Sequence, residues 1–249
     1  TLFNVRLGWW LGNPGKAGKD TWFEAGPRGM LKPLLGELFG LTNWQSPQIY
    51  LSDGGHFDNL GLYEMVLRRC RVIVVSDATA DADCEYFDLG MAIRKIRIDL
   101  GVDIVMGPLP KLTPRDKLRD PPAADDHRRY CGIGVIRYPE SPASPGYLLY
   151  LKPGVHGDVP ADVLDYALKH VVFPHDSTAD QWFDEAQFES YRRLGRHMVE
   201  TVFAELAKRA EPATELTIDD LFPVFCRYAG EGDFAKIYGF VRGSNRDDD

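Results

Sequence analysis

Residues 48–78 read QIYLSDGGHFDNLGLYEMVLRRCRVIVVSDA, and this stretch decides the predicted fold. Residues 48–52 are a short strand candidate, and residues 59–69 carry apolar side chains at helical spacing. Residues 71–78 are a continuous apolar run rich in β-branched side chains, which is typical of a strand buried on both faces. A strand, a helix and a strand within about thirty residues predict a βαβ unit with parallel strands.

This unit would bring two acidic residues to one edge of a sheet. If strands 48–52 and 71–77 lie side by side and parallel, Asp53 and Asp77 lie at the same edge of the sheet, just past the carboxyl ends of the two strands. Open α/β sheets gather their functional groups at that edge. The helix between the strands has Asp58 or Asn59 as its predicted N-cap.

The remaining pattern predicts an α/β fold with a mainly parallel sheet flanked by helices and with a helical C-terminal section. Residues 1–47 lack a clear period, and within them GWWLGNPGKAGKD, residues 8–20, predicts an irregular loop; residues 108–130 predict a surface loop. The other predicted elements are a helix at 87–101 closed by Gly101, a strand at 102–107, a hairpin of 132–139 and 146–153 at the edge of the sheet, a helix at 161–170, a long helix opened by Thr178 and Gln181 at capping-box spacing, and a short helix at 217–230.

Trp182 and Tyr191 fall near the apolar stripe of the long helix, so we expect both to be largely buried. We assign residues 1–240 to one domain and residues 241–249 to a disordered acidic tail.

Composition excludes several classes of protein. The chain has 249 residues and a net charge of −8 with no basic stripe, which argues against nucleic-acid binding. Its four cysteines form no C-x-x-C pair, which argues against structural zinc and favours a reduced, cytoplasmic chain. No apolar run approaches the roughly 18 residues of a membrane span.

The turn at Asp53 allows two interpretations. Asp53 either caps the segment that follows it, as aspartate often does in turns, or it presents a carboxylate for proton transfer. Gly54 and Gly55 permit positive φ and a close approach of the backbone. The residues alone leave these two roles open.

The sequence SDGGHFDNLGLYE, residues 52–64, resembles the second catalytic motif of the patatin-like phospholipases. The resemblance continues through residues 72–104 and through FPHDSTADQWFDEAQFESYRRLG, residues 173–195, which is similar to the distal part of a bacterial subgroup. It spans roughly residues 4–205. In that family an Asp-Gly-Gly turn supplies the acid of a Ser–Asp dyad, a G-x-S-x-G elbow supplies the nucleophile, and no cofactor is needed.

The resemblance implies that this chain is the C-terminal part of a serine acyl hydrolase acting on lipid or lysolipid esters, with Asp53 as general base and Gly54 and Gly55 shaping its turn. None of the eight serines lies in a G-x-S-x-G sequence; Ser52 precedes Gly54 by two residues but follows Tyr50 by two. The nucleophile is therefore expected on an upstream segment, and this chain alone is expected to be inactive. The alternative is a non-catalytic interaction domain on the same scaffold.

Other sites are weaker alternatives. Asp81, Asp83 and Glu85 have the opening spacing of an EF-hand loop, but Tyr86 and Ala92 occupy its glycine and glutamate positions, so a loop capping the next helix is favoured over a metal. His56 and Asp58 lack the further ligands of a metallohydrolase, and Gly18-Lys19 is followed by Asp20 rather than the Ser or Thr of a phosphate-binding loop. Peripheral membrane contact is a further alternative, through a rim of four tryptophans: Trp9, Trp10, Trp22 and Trp44.

Overall fold

The computed structural model describes residues 8–29, 31–111, 113–121, 130–142, 144–177 and 179–209. The chain forms two compact units, Thr1–Phe57 and Asp58–Asp249. The helix predicted at 217–230 and the tail predicted at 241–249 lie outside the described residues. No helix in the described ranges is both long enough and apolar enough to cross a membrane.

The first unit contains two strands and one helix. Strand β1 (Gly8–Gly12) pairs antiparallel with β2 (Gln48–Ser52), and helix α1 (Leu31–Leu38) lies in the connection between them. The prediction of an irregular loop over residues 8–20 is therefore wrong for β1, and helix α1 was not predicted. Gly12 is required where the backbone of Thr21 passes close by, since a Cβ at Gly12 would lie 1.7 Å from the Thr21 carbonyl oxygen.

A buried asparagine fixes the loop that follows β1. The Asn13 amide donates to the carbonyl oxygens of Trp44 and Ser46, both at 2.8 Å, and its Oδ1 accepts the Gly15 N–H at 2.8 Å. The backbone N–H of Asn13 also donates to Pro47 O at 2.9 Å. One side chain thus joins both ends of the connection between the strands, which the turn-rich composition alone did not indicate.

The second unit is an α/β fold with a mixed four-stranded sheet. Its order is β3 (Val72–Ser76), β6 (Gly146–Leu151), β5 (Cys131–Arg137) and β4 (Asp103–Met106). Strands β3 and β6 are parallel, whereas β6–β5 and β5–β4 are antiparallel. The α/β class is confirmed, but the expectation of a mainly parallel sheet is wrong, because one pairing of three is parallel.

Two predictions about strand neighbours are also wrong. Strand β2 pairs antiparallel with β1 in a separate sheet, so it does not lie beside β3, and Asp53 and Asp77 end strands of different sheets. The hairpin of β5 and β6 lies in the centre of its sheet and not at the edge. The neighbour of β3 is β6, whose mostly buried apolar side chains offer a better partner surface than the half-exposed β2.

Helices cover both faces of this sheet. Helix α2 (Leu62–Leu67) and α3 (Phe87–Leu100) pack on one face, where Leu148 and Tyr150 contribute to the core. Helix α4 (Ala161–Lys169) and α5 (Glu185–Arg209) pack on the other, against Leu149 and its neighbours. The prediction of a sheet flanked by helices with a helical C-terminal section is confirmed for the described residues.

Strand β3 is buried on one face only. Ile73 and Val75 lie in the core, but Val72 and Val74 are exposed. The apolar run at 71–78 suggested burial on both faces, and this expectation is wrong, because β3 is an edge strand whose second face is uncovered in the described structure. A continuous run of valines fits either situation, so its composition could not distinguish them.

Two helices begin later than predicted. Helix α2 starts at Leu62, and the Asp58 carboxylate accepts the N–H groups of Leu60 and Tyr63, at 2.9 and 2.8 Å. Helix α5 starts at Glu185, where the Asp184 carboxylate accepts the Gln187 N–H at 2.7 Å. The predicted cap Thr178 lies outside the described residues.

Trp182 precedes α5 and is 91% exposed, so its predicted burial is wrong. Helical spacing does not apply to Trp182, because the helix begins three residues after it. Tyr191, inside the helix, is half-buried: its ring contacts Phe173 edge-on, and its hydroxyl donates to Asp176 at 2.5 Å. The expectation of extensive burial is thus met only in part for Tyr191.

Candidate functional site

Asp53 lies where β2 ends and caps the short 3-10 turn Gly54–His56 that follows. Its Oδ1 accepts the N–H of Gly55 at 2.9 Å, and the residue is exposed. The interpretation of Asp53 as a turn cap is therefore correct. Capping occupies one carboxylate oxygen and leaves the side chain at the surface, so it does not decide whether Asp53 also transfers a proton.

The two motif glycines do not use the left-handed conformation that their sequence suggested. The glycines with positive φ in the described residues are Gly40, Gly61 and Gly101. A Cβ added at Gly54 would meet no heavy atom within 4 Å. There is therefore open space beside the Gly54 Cα, and neither the backbone conformation nor the packing at this position requires a glycine.

The neighbouring acid Asp58 has a structural role. Both of its oxygens accept backbone N–H groups at the start of α2. Across the described residues, no group of three or more His, Cys, Asp or Glu side chains is arranged to hold a metal ion. The metallohydrolase alternative thus gains no support from this part of the chain.

A second polar cluster lies at the carboxyl ends of the parallel strands β3 and β6. Asp77 follows β3 and Lys152 follows β6, and each side chain is 1% exposed. Lys152 Nζ lies 3.2 Å from Asp77 Oδ1 and 3.4 Å from Asp81 Oδ2. We refer to Asp77, Asp81, Lys152 and the groups bonded to them as the Lys152 cluster.

Hydrogen bonds satisfy the buried Asp77 carboxylate from several sides. Its Oδ1 accepts the N–H and the hydroxyl of Thr79, at 2.9 and 2.6 Å, and its Oδ2 accepts the Tyr150 hydroxyl. Burial by itself disfavours the charged form, but these hydrogen bonds and the charge of Lys152 outweigh it, so the pKa of Asp77 is lowered. Burial, together with the Asp77 carboxylate, raises the pKa of Tyr150.

Asp81 links this cluster to the loop before α3. Its two oxygens accept the N–H groups of Glu85 and Tyr86, at 2.8 and 3.1 Å, and Tyr86 is the N-cap residue directly before α3. The prediction of a solvated loop that caps the next helix is not met at Asp81, because its side chain is nearly buried and bonds N–H groups that precede the first residue of α3. Cys84 and Tyr86 adopt positive φ, which costs free energy in residues other than glycine.

His175 is buried close to this cluster, and both of its ring nitrogens are shielded from solvent. Burial and then the charge of Lys152 lower the pKa of His175, whereas Asp81, the Thr79 backbone and Asp77 act in the opposite direction without outweighing them. The imidazole is therefore neutral near pH 7.

The sequence analysis missed Lys152 and His175. A signal for Lys152 was present, since a charged residue directly after the apolar run GYLLYL occupies the same position as Asp77 after VIVVS. The arrangement holds the loops after β3 and β6 together, because its charges are paired and closed off from solvent.

No protein-family model, curated protein or solved structure matches this chain. The resemblance of residues 52–64, 72–104 and 173–195 to patatin-like phospholipases therefore stays a prediction.

Proposed function

We propose that the chain carries the acidic half of a serine acyl-hydrolase site, in which Asp53 is the general base and the substrates are lipid or lysolipid esters. The observation that supports it is the placement of the Asp53 carboxylate: exposed, at the end of a strand, and anchored through one oxygen to the Gly55 N–H. Strands β2 and β3 do not pair with each other, so the sheet adds no support to this role of Asp53. The proposal rests on the placement of the Asp53 carboxylate and on the motif resemblance.

In this proposal the nucleophilic serine lies on an upstream segment with a G-x-S-x-G elbow. Its hydroxyl attacks the ester carbonyl while Asp53 accepts the proton, and backbone N–H groups of that segment stabilise the oxyanion. The alcohol leaves with a proton, and water then releases the acid from the acyl-serine. A carboxylate is a weak base toward a hydroxyl, so Asp53 acts only when it is held against the nucleophile.

Three substitutions separate the capping role of Asp53 from the basic role. Asp53→Asn keeps an oxygen for the Gly55 N–H but removes the base, and Asp53→Ala removes both. Asp83→Asn is the matched control, because it makes the same charge change at another exposed acid. Hydrolysis of p-nitrophenyl esters would be measured in the chain joined to its upstream segment; the Asp53 variants should both lose activity, and Asp83→Asn should not.

The second candidate is a non-catalytic interaction domain. The exposed apolar side chains of the first unit, which include Trp44 and Leu41, favour it, because such side chains commonly mark contact surfaces. Full activity in the Asp53→Asn variant, or the lack of activity in the joined chain itself, would favour this candidate over the hydrolase.

A further inference from the structure

Strand β3 forms one edge of the four-stranded sheet, and its free side carries no protection against pairing. Edge strands usually contain charged residues, prolines or bulges that prevent another strand from adding to the sheet. The β3 sequence VIVVS contains no charge and no proline, and it pairs with β6 without a bulge. In the described residues β6 is its only neighbour, so this edge is open to a further strand.

The hydrogen bonds to β6 show which backbone groups of β3 point outward. The Arg71 carbonyl accepts the Tyr147 N–H at 2.7 Å. The Asp77 N–H donates to the Leu151 carbonyl at 2.9 Å. Because the direction of these groups alternates along a strand, odd-numbered residues of β3 face β6 and even-numbered residues face outward. The outward-facing residues are Val72, Val74 and Ser76.

This row of outward groups selects an extended polypeptide as its partner. Within the described part of the chain, the outward N–H and C=O groups form no hydrogen bond. Alternating donors and acceptors along an edge are paired in full only by another strand. Val72 and Val74 are also 38% and 58% exposed, so their side chains are available for contact with that strand.

The backbone of β3 can pair with a second copy of itself. When two copies run antiparallel with Val74 at the centre, Val74 exchanges two hydrogen bonds with the partner's Val74. In the same register Val72 exchanges two hydrogen bonds with the partner's Ser76, and the symmetric pair repeats this at the other end. All of the outward groups of both strands are then satisfied.

The side chains of β3 are complementary in this same register. Ile73 lies opposite the partner's Val75, and β-branched pairs of this kind stabilise neighbouring strands. At each end Arg71 lies opposite the partner's Asp77, so the charges that flank the pair have opposite signs. No like charges face each other anywhere along the register, as a two-fold contact between identical strands requires.

Helix α2 extends the same surface above the edge of the sheet. It contacts β3 and α3, and α3 contacts β4 at the opposite edge, so the flank of α2 away from α3 lies beside the free edge. Tyr63 faces α3, because its hydroxyl donates to Asp99. Met65 is about 200° around the helix from Tyr63 and is 37% exposed, so it lies on the flank next to the edge.

We propose that two copies of this chain associate through β3, so that their four-stranded sheets form one continuous sheet with an antiparallel β3–β3 pair at its centre. Met65 of each copy adds an apolar contact beside the two-fold axis. The association does not involve Asp53 and does not depend on the hydrolase proposal.

Sedimentation equilibrium of the 249-residue chain between about 1 μM and 1 mM tests the proposal. The wild type should form a dimer in this range. Val74→Asp and Val74→Lys should each weaken dimerisation by about tenfold or more, because like charges then face each other on the axis. An equimolar mixture of the two variants should restore the dimer, since aspartate then faces lysine. Val172→Asp, at a 51% exposed valine in the turn after α4, is the matched control and should dimerise like the wild type.

Amide hydrogen exchange gives a second readout at the level of single N–H groups. In the wild-type dimer the N–H groups of Val72, Val74 and Ser76 should exchange slowly, and in Val74→Asp they should exchange fast. The N–H groups of Ile73 and Val75, which face β6, should exchange slowly in both proteins.

Three results would overturn the proposal: a monomer at every concentration, a dimer that Val74→Asp leaves intact, or a mixture of Val74→Asp and Val74→Lys that stays monomeric. Slow exchange of the outward N–H groups in a monomer would also overturn it, because another segment of the same chain would then cover the edge.

Discussion

Removing the buried lysine of the Lys152 cluster should destabilise the second unit strongly. Lys152→Met keeps the aliphatic stem but leaves the Asp77 and Asp81 carboxylates without the cation that lies 3.2 and 3.4 Å away. Breaking a buried ion pair from one side costs about 3–5 kcal/mol, and in a domain of this size that lowers the melting temperature by about 6–20 °C.

The effect should depend on pH in a defined direction. The pKa of Asp77 is lowered in the folded protein, so its stabilising contribution is present above the unfolded pKa of about 3.9 and is lost as the pH falls through the folded pKa. In Lys152→Met the lysine charge no longer lowers this pKa, while burial still raises it and the hydrogen bonds from Thr79 and Tyr150 still lower it, so the pKa of Asp77 is higher than in the wild type. The deficit relative to the wild type should therefore be largest near pH 7 and shrink as the pH falls through the folded pKa of Asp77 in the variant.

Thermal unfolding followed by far-UV circular dichroism at several pH values measures both effects. Lys169→Met is the matched control, because Lys169 is an exposed lysine that pairs with Asp165 one helical turn away at 2.8 Å, and it should change the unfolding free energy by about 0.5 kcal/mol or less. The reasoning is refuted if Lys152→Met melts within about 2 °C of the wild type at pH 7, since this is less than 1 kcal/mol in a domain of this size.

Three further substitutions test separate parts of the structure. Asn13→Ala removes three side-chain hydrogen bonds from the first unit and should cost about 2–4 kcal/mol, read from tryptophan fluorescence during urea unfolding; an unchanged midpoint would contradict the role of Asn13. Trp182→Ala should change the unfolding free energy by about 0.5 kcal/mol or less, because the side chain is exposed; a loss of about 3 kcal/mol in calorimetry would mean that Trp182 is buried. The lowered pKa of buried His175 means that the unfolded chain binds the additional proton, so wild-type stability should fall as the pH drops below about 6.5. His175→Phe should flatten this slope in denaturant titrations, the exposed His56→Asn should not, and equal slopes in all three proteins would contradict the assignment.

The sequence predicted the local elements of the second unit well. Strand β3, helix α3 and strand β4 all fall within the predicted ranges, and Gly101 ends α3 with a φ of 63°. These features depend on short-range properties: apolar periodicity, β-branched composition and the freedom of glycine to adopt positive φ. The antiparallel pairing of β5 with β6 was likewise indicated by their proximity in the chain.

Long-range pairing could not be predicted in the same way. Val72 pairs with Tyr147, 75 residues later, and the periodicity of β3 contains no information on which strand lies beside it. The nearest strand in sequence, β2, was the natural expectation, but it is half exposed and pairs with β1 instead. Strand β1 was not predicted either, because its two glycines and two tryptophans show no strand period and have the composition of a loop.

The same difference between short-range and long-range features applies to the candidate sites. The turn at Asp53 was predictable, because the acid, the two glycines and the capping bond are adjacent in sequence. The Lys152 cluster was not, since Asp77 and Lys152 come from distant segments and meet only after the parallel pair β3–β6 has formed.

The assay of Asp53→Asn in the chain joined to its upstream G-x-S-x-G segment tests the central claim most directly. The 249-residue chain alone should hydrolyse p-nitrophenyl esters no faster than background, and the joined chain should show activity that Asp53→Asn lowers by about 10²–10⁴-fold, as expected for loss of a general base. Its thermal unfolding curve should stay close to that of the unsubstituted chain, because asparagine can still accept the Gly55 N–H. Full activity of Asp53→Asn in the joined chain would contradict the account and leave Asp53 with its capping role alone.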